Sequence, residues 1–184
     1  MKRLTATLLL AAALLPAAAL PAAANVPLPA PLVAENPALK RLGEGRLRWL
    51  GLHVYDAALW VLGEAWSFER AFALDIRYAM SIKGRDLSRR SIEEMRRHPL
   101  MPEGAAAAWL AQLQTLLSDV REGERLIGVY HPTQGLQMWH EGAELRALGA
   151  TPDTLLARVF MGIWLDPSTS APELRQRLLG LNRP

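Results

Sequence analysis

Apolar and polar positions alternate most regularly from Ala73 to Ile82, with Leu74, Ile76, Tyr78, Met80 and Ile82 on one side and Asp75, Arg77 and Ser81 on the other. A period of two sustained that long predicts a half-buried strand. Upstream, Arg46 to Val61 is mostly apolar and too long for one flat strand, and Gly51 is placed to bend or bulge it. Gly84 ends the alternating strand, and the spacing changes to that of a helix over Arg85–His98, with Leu87, Ser91, Ile92 and Met95 facing inward. Arg89 with Glu93, and Arg90 with Glu94, lie four apart on what reads as a solvated face. A second helix is predicted from about Glu103 to Val120, with Trp109, Leu110, Leu113, Leu116, Leu117 and Val120 as its inner stripe.

Strand patterns resume after Gly123. Arg125–His131 and Leu136–His140 flank the turn residues Pro132-Thr133-Gln134-Gly135 as a hairpin, and Glu141-Gly142 leads into a third strand, Glu144–Leu148. Thr151 followed by Pro152 reads as the cap and first turn of a helix that buries Leu155, Leu156, Val159, Phe160, Ile163 and Trp164 and stops at Asp166-Pro167. Ser170 is placed to cap a last helix that closes at Gly180. The proline-rich residues 25–37 read as an extended lead-in, with an edge strand at Leu32–Ala34. This order predicts an α+β domain, a large antiparallel sheet with a layer of helices on one face.

Composition changes the picture at the N-terminus. Lys2 and Arg3, the apolar run Leu8 to Leu15 and the small residues Ala22-Ala23-Ala24 have the three-part form of a secretory signal peptide, with cleavage near Ala24. Leu4 to Ala24 is long enough for a membrane anchor, but its two prolines and many alanines favour removal. The expected divisions are residues 1–24 as signal peptide, 25–42 as lead-in and 43–184 as the domain, in a periplasmic or secreted protein without a stable membrane span after cleavage. The chain has no cysteine, which closes the acyl-anchored lipoprotein route and leaves packing to supply stability. Without Lys2 and Arg3 the formal charge falls from +3 to +1, so no nucleic-acid partner is expected.

Candidate chemistry is sparse. The four histidines, His53, His98, His131 and His140, form no close ligand pair, and neither a metal nor a cofactor is expected. GxSxG, GxGxxG and GxxxxGK[ST] are all missing. Arg46, Arg48, Tyr55, Asp56 and Arg77 fall within strand-like segments, and an arginine beside a tyrosine hydroxyl is a good receptor for a carboxylate. Alternatively, these arginines lie on the open face of the sheet and pair structurally with Asp56 and Asp75.

The segment Gly43 to Val61, GEGRLRWLGLHVYDAALWV, the unit Ala73 to Met95, the hairpin Arg125 to Glu141 and the late FMGIWLDP from Phe160 follow one another as in the exported bacterial chalcone isomerase-like proteins. The chain resembles that family over nearly all of residues 25–184. The resemblance implies an open-faced sandwich with a ligand cleft between sheet and helices. The family includes enzymes that close a chalcone into a flavanone and relatives that bind fatty acids without catalysis. Of the enzymes' polar positions, a strand threonine falls on Tyr55, a helix tyrosine on Leu87, an asparagine on Glu94 and a late hydroxyl near Met161. Most of the constellation that polarises the substrate is thus replaced.

What the resemblance leaves is an arginine and tyrosine pair suited to the head of a fatty acid or another small amphipathic carboxylate. Arg48 and Tyr55 are the expected anchors, with Arg46 in reserve and Tyr78, Met80, Trp109 and Phe160 as the apolar wall. Aligned without gaps, the family's arginine position lands on Leu47, and Arg48 differs from Tyr55 in strand parity, so a bulge is required to bring both to one face. The alternative readings are an isomerase or intramolecular lyase for a phenolic or enone compound, using Tyr55, Glu94 or Asp86 as acid, and a structural or protein-binding envelope domain.

Overall fold

The computed structural model describes residues 26–181. Residues 1–24, read above as a signal peptide, lie outside the described residues. The alternating pattern becomes six antiparallel strands paired in chain order, β1 (Leu39–Trp49), β2 (Leu52–Leu62), β3 (Phe72–Tyr78), β4 (Arg125–His131), β5 (Gly135–Glu141) and β6 (Leu145–Thr151). Helices α2 (Gly84–Met95), α3 (Ala106–Leu116), α4 (Thr154–Leu165) and α5 (Pro172–Leu178) form a layer on one face. Between the layers lies the main core, where Leu59, Phe72, Leu74 and Leu136 from the sheet meet Met95, Leu113, Leu156 and Leu165 from the helices.

The long apolar run is a hairpin. Trp49 pairs with Leu52 across a two-residue turn, Leu50-Gly51, whose φ values of 48° and 82° are both positive, as a type I′ turn requires. Gly51 therefore reverses the chain, whereas a bulge or bend within one strand was expected. The close crossing of α5 over β1 explains the two glycines of GEG. A Cβ at Gly43 would lie 2.1 Å from the Arg177 carbonyl oxygen, and one at Gly45 would lie 2.7 Å from Leu174 Cδ1.

Helix ends differ from the sequence reading where tertiary partners claim the capping residue. Asp153 caps α4 by accepting from the Leu156 N–H at 2.9 Å. Thr151 instead ends β6 and donates to Gln112 Oε1 at 3.1 Å, tying that strand to α3. At α5, Ala171 rather than Ser170 occupies the cap position.

The lead-in is neither extended nor an edge strand. It forms a short helix, α1 (Ala30–Glu35), on the sheet face opposite the other helices. Leu28 and Leu32 bury themselves there over Ala73 and Ile127, among Trp60, Val129 and Trp139. Full burial of each leucine stabilises the fold by about 1.5–3 kcal/mol. Beside them Arg125 is almost fully enclosed; it donates to Asp75 through both Nε, at 2.9 Å, and a terminal nitrogen, to Glu141 at 2.6 Å and to the Pro27 carbonyl at 3.2 Å. The sandwich is thus covered on part of its far face.

Candidate functional site

A cavity of about 660 Å³ lies between β2, β3 and β4 below and α2 and α4 above. Leu74, Ile76 and Leu126 form its floor, with Leu87, Phe160 and Ile163 opposite. At Gly128 an added Cβ would come within 2.5 Å of Met161 Cε, so α4 closes on the sheet there. Trp49 and Val54 from the first hairpin and Met80 just after β3 also line it, and Trp49 and Met80 are exposed to solvent as well.

Two tyrosines give this apolar space a polar corner. Tyr55 and Tyr78 are direct cross-strand partners on β2 and β3, their rings edge to face with centroids 6.0 Å apart. The Tyr55 oxygen accepts from Trp164 Nε1 at 2.9 Å, so its own proton remains free to donate. Tyr78 is only 6% exposed, and its hydroxyl has no hydrogen-bond partner among the described residues. Burial pushes both hydroxyls far above their ordinary range, so both remain neutral donors. Glu94, whose charge also bears on Tyr55, lines the same cavity and is held by Arg90 and, at 3.4 Å, by Arg97. Arg90 is exposed, as expected for a solvated face, but Glu94 turns inward as a buried carboxylate on the cavity wall.

The predicted anchors separate. Arg46 pairs with Asp56 and Leu47 with Tyr55; the register then shifts, so that Arg48 stands opposite His53. The required irregularity exists, but it falls around Val54 in β2 rather than at Gly51. Leu47, the residue on which the family's arginine position lands, is the one that shares the cavity face with Tyr55. Arg46 turns to the far face and grips Asp56 with two hydrogen bonds, of 2.7 and 3.2 Å, as in the structural alternative. Arg48 is exposed at the rim, bordering both the cavity and a groove on the other side of β1, and makes no hydrogen bond or ion pair among the described residues.

Of the expected wall, Tyr78, Met80 and Phe160 line the cavity. Trp109 does not; it is buried in the core on α3, which packs against α2 and β6. The inner stripe of a helix cannot reveal by spacing which of its members meets a cavity. Sequence reasoning missed Trp164, whose indole N–H was hidden in an apolar stripe, and Arg90, read as a surface charge. Tyr55, Leu87, Glu94 and Met161, onto which the enzymes' polar positions fall, all line the cavity. Among the described residues, no three His, Cys, Asp or Glu side chains are grouped to hold a metal.

No family model matches the chain. An uncharacterized protein of Haemophilus influenzae is 26% identical over 140 residues, covering 76% of this chain and 67% of that protein. The crystal structure of an Arabidopsis thaliana fatty-acid binding protein superposes with a TM-score of 0.58 and 16% identity, covering 78% of this chain and 88% of that one. The six-stranded open sheet with its helix layer is a chalcone isomerase-like fold.

Proposed function

We propose that this chalcone isomerase-like domain binds a small amphipathic molecule, a fatty acid or similar carboxylate, in the cavity between sheet and helices. The observation that carries this reading is Tyr78, whose hydroxyl on the cavity wall has no hydrogen-bond partner among the described residues while the ring is buried. A hydroxyl that opens on a cavity and bonds to no protein group is available to an acceptor oxygen that arrives with a ligand. Tyr55 supplies a second free proton beside it, and two neutral O–H donors suit a carboxylate oxygen. The cavity volume of about 660 Å³ falls within the range of about 300–1,000 Å³ usual for small-molecule sites. The fold shared with a plant fatty-acid binding protein supports the same reading.

In this arrangement the tyrosines hold the head group, and Arg48 attracts an acidic head at the rim without clamping it. Titration with a medium- or long-chain fatty acid is expected to give saturable binding that Tyr78→Phe weakens about tenfold, a loss near 1.4 kcal/mol. Arg48→Ala is expected to weaken it less. Native mass spectrometry of protein purified from its host is expected to show a retained small molecule; an empty cavity together with no binding in titration overturns the proposal. Isomerisation of a phenolic or enone compound would use the same corner, with a tyrosine hydroxyl polarising a carbonyl beside Glu94. Turnover of a chalcone panel, lost in Tyr55→Phe, would promote it. We further propose that the chain is exported to the periplasm, on the strength of residues 1–24; mass measurement of the mature N-terminus tests this.

A further inference from the structure

The tip of the β1–β2 hairpin is the most apolar exposed point among the described residues. Leu50 is 81% exposed, Trp49 63% and Leu52 61%, and Met80 beside them is 40% exposed. Nothing in the fold rewards these side chains. Leu50 also sits at a φ of 48°, a left-handed conformation that a turn of this type normally gives to asparagine, aspartate or glycine. A bulky apolar residue is therefore kept where it strains the backbone and adds nothing to the core.

We propose that this tip docks the protein on the surface of an anionic lipid bilayer, with Trp49, Leu50 and Leu52 entering the acyl boundary and Arg48 meeting lipid phosphate. Shape favours a bilayer over a protein partner. A stable protein interface covers about 800 Å² on each side, and a two-residue turn with its flanks is too narrow and convex to provide it. Fluid acyl chains accept a convex apolar point without a matching groove, and tryptophan suits the headgroup boundary because its body is apolar and its edge is polar.

Charge is complementary as well. Arg48 immediately precedes the tip, is exposed and is paired with nothing among the described residues. Lys83 and Arg90 on the cavity wall are already paired, Lys83 with Asp119 at 2.7 Å and Arg90 with Glu93 and Glu94, so the cation that the tip itself offers is Arg48. A cation beside an exposed indole is the combination that adds electrostatic attraction to apolar insertion. Trp49 and Met80, both exposed, also line the cavity, so docking through the tip brings this end of the cavity to the lipid. An amphipathic molecule then passes between bilayer and cavity without crossing water. The docking itself requires no particular cargo.

Co-sedimentation with phosphatidylcholine vesicles, with and without phosphatidylglycerol, tests the proposal on the purified mature chain. Wild type is expected to sediment with the phosphatidylglycerol vesicles, less so at high salt. Leu50→Asp is expected to lower that partition at least about tenfold, and Arg48→Glu to lower it and flatten the salt dependence. Leu50→Asn is expected to separate the two roles of the tip: it suits the turn, so the melting temperature rises, while vesicle binding falls. Tyr78→Phe is expected to bind vesicles as wild type does, which keeps this test independent of the ligand reading. The proposal is overturned if wild type ignores both vesicle types or if Leu50→Asp sediments unchanged. It is also overturned if sedimentation velocity shows a dimer that Leu50→Asp abolishes, because the tip then belongs to a second copy of the chain.

Discussion

The two faces of the sheet differ in the polar groups they bury: one holds charges that are paired, the other a neutral hydroxyl that is not. On the far face, Arg125, Asp75 and Glu141 bind one another under α1, and Arg125 spends a further donor on Pro27. On the helix face, Tyr78 is as deeply buried and bonds to nothing among the described residues. The difference follows from what each group tolerates. A buried charge without a partner is unaffordable, whereas a neutral hydroxyl beside a cavity is a modest cost that an incoming acceptor removes. Paired charges mark the far face as structure, although the Trp60 and Trp139 indole N–H groups are buried there without a partner among the described residues. A free hydroxyl on a cavity wall marks the helix face as a place for something else.

The sharpest way to break the comparison is to unpair the far face. Arg125→Met takes from buried Asp75 the guanidinium it is hydrogen-bonded to, leaving only the weaker attraction of Arg77, and is expected to cost about 3–5 kcal/mol in chemical denaturation. Replacing Arg125, Asp75 and Glu141 together by apolar residues of similar size is expected to restore most of it, since the loss comes from the stranded charge. Tyr78→Phe is the counterpart on the helix face. It removes an unsatisfied group, so stability is expected to hold or rise while ligand affinity falls. Tyr55→Phe should not share this signature, because it strands the Trp164 indole N–H that now donates to it. Arg46→Ala is expected to cost less than about 1 kcal/mol with ligand affinity unchanged, because its pair with Asp56 is partly exposed and lies away from the cavity.

The smallest effect concerns His98, packed against Gly162 of α4. Burial holds its imidazole below the ordinary value despite Asp166 at 3.3 Å. The unfolded chain therefore takes up a proton near pH ~6.5 that the folded chain still refuses. The stability from this group is complete above that pH and is lost as pH falls through the lower folded value. Urea denaturation at a series of pH values is expected to show the decline, and His98→Asn to flatten it.

Much of this fold is legible along the chain because its strands and helices are short-range patterns. The alternation from Leu74 to Tyr78 and the turn at Pro132 to Gly135 appear where their spacing places them, and the stripes of α2 and α4 do so in part, since Glu94 is buried beside Met95 while Leu155 is exposed. The lead-in misled because proline content describes local stiffness, while Leu28 and Leu32 took their conformation from an apolar patch distant in sequence. The site was half legible. Tyr55, Tyr78 and Phe160 were found, since a strand parity and a family pattern both point at them; Trp164 and Arg90 were not, since their role depends on what stands opposite.

Periodicity along the chain was enough for the meander of strands and the helix layer, whereas the crowding at Gly43 and Gly45 comes from α5 crossing β1. The direction of the arginines was decided only by the tertiary structure. A register shift around Val54 pairs Leu47 with Tyr55 and sends Arg46 to the far face. Strand parity has a period of two, so one displaced residue exchanges the faces, and no local pattern of side chains records where the displacement falls.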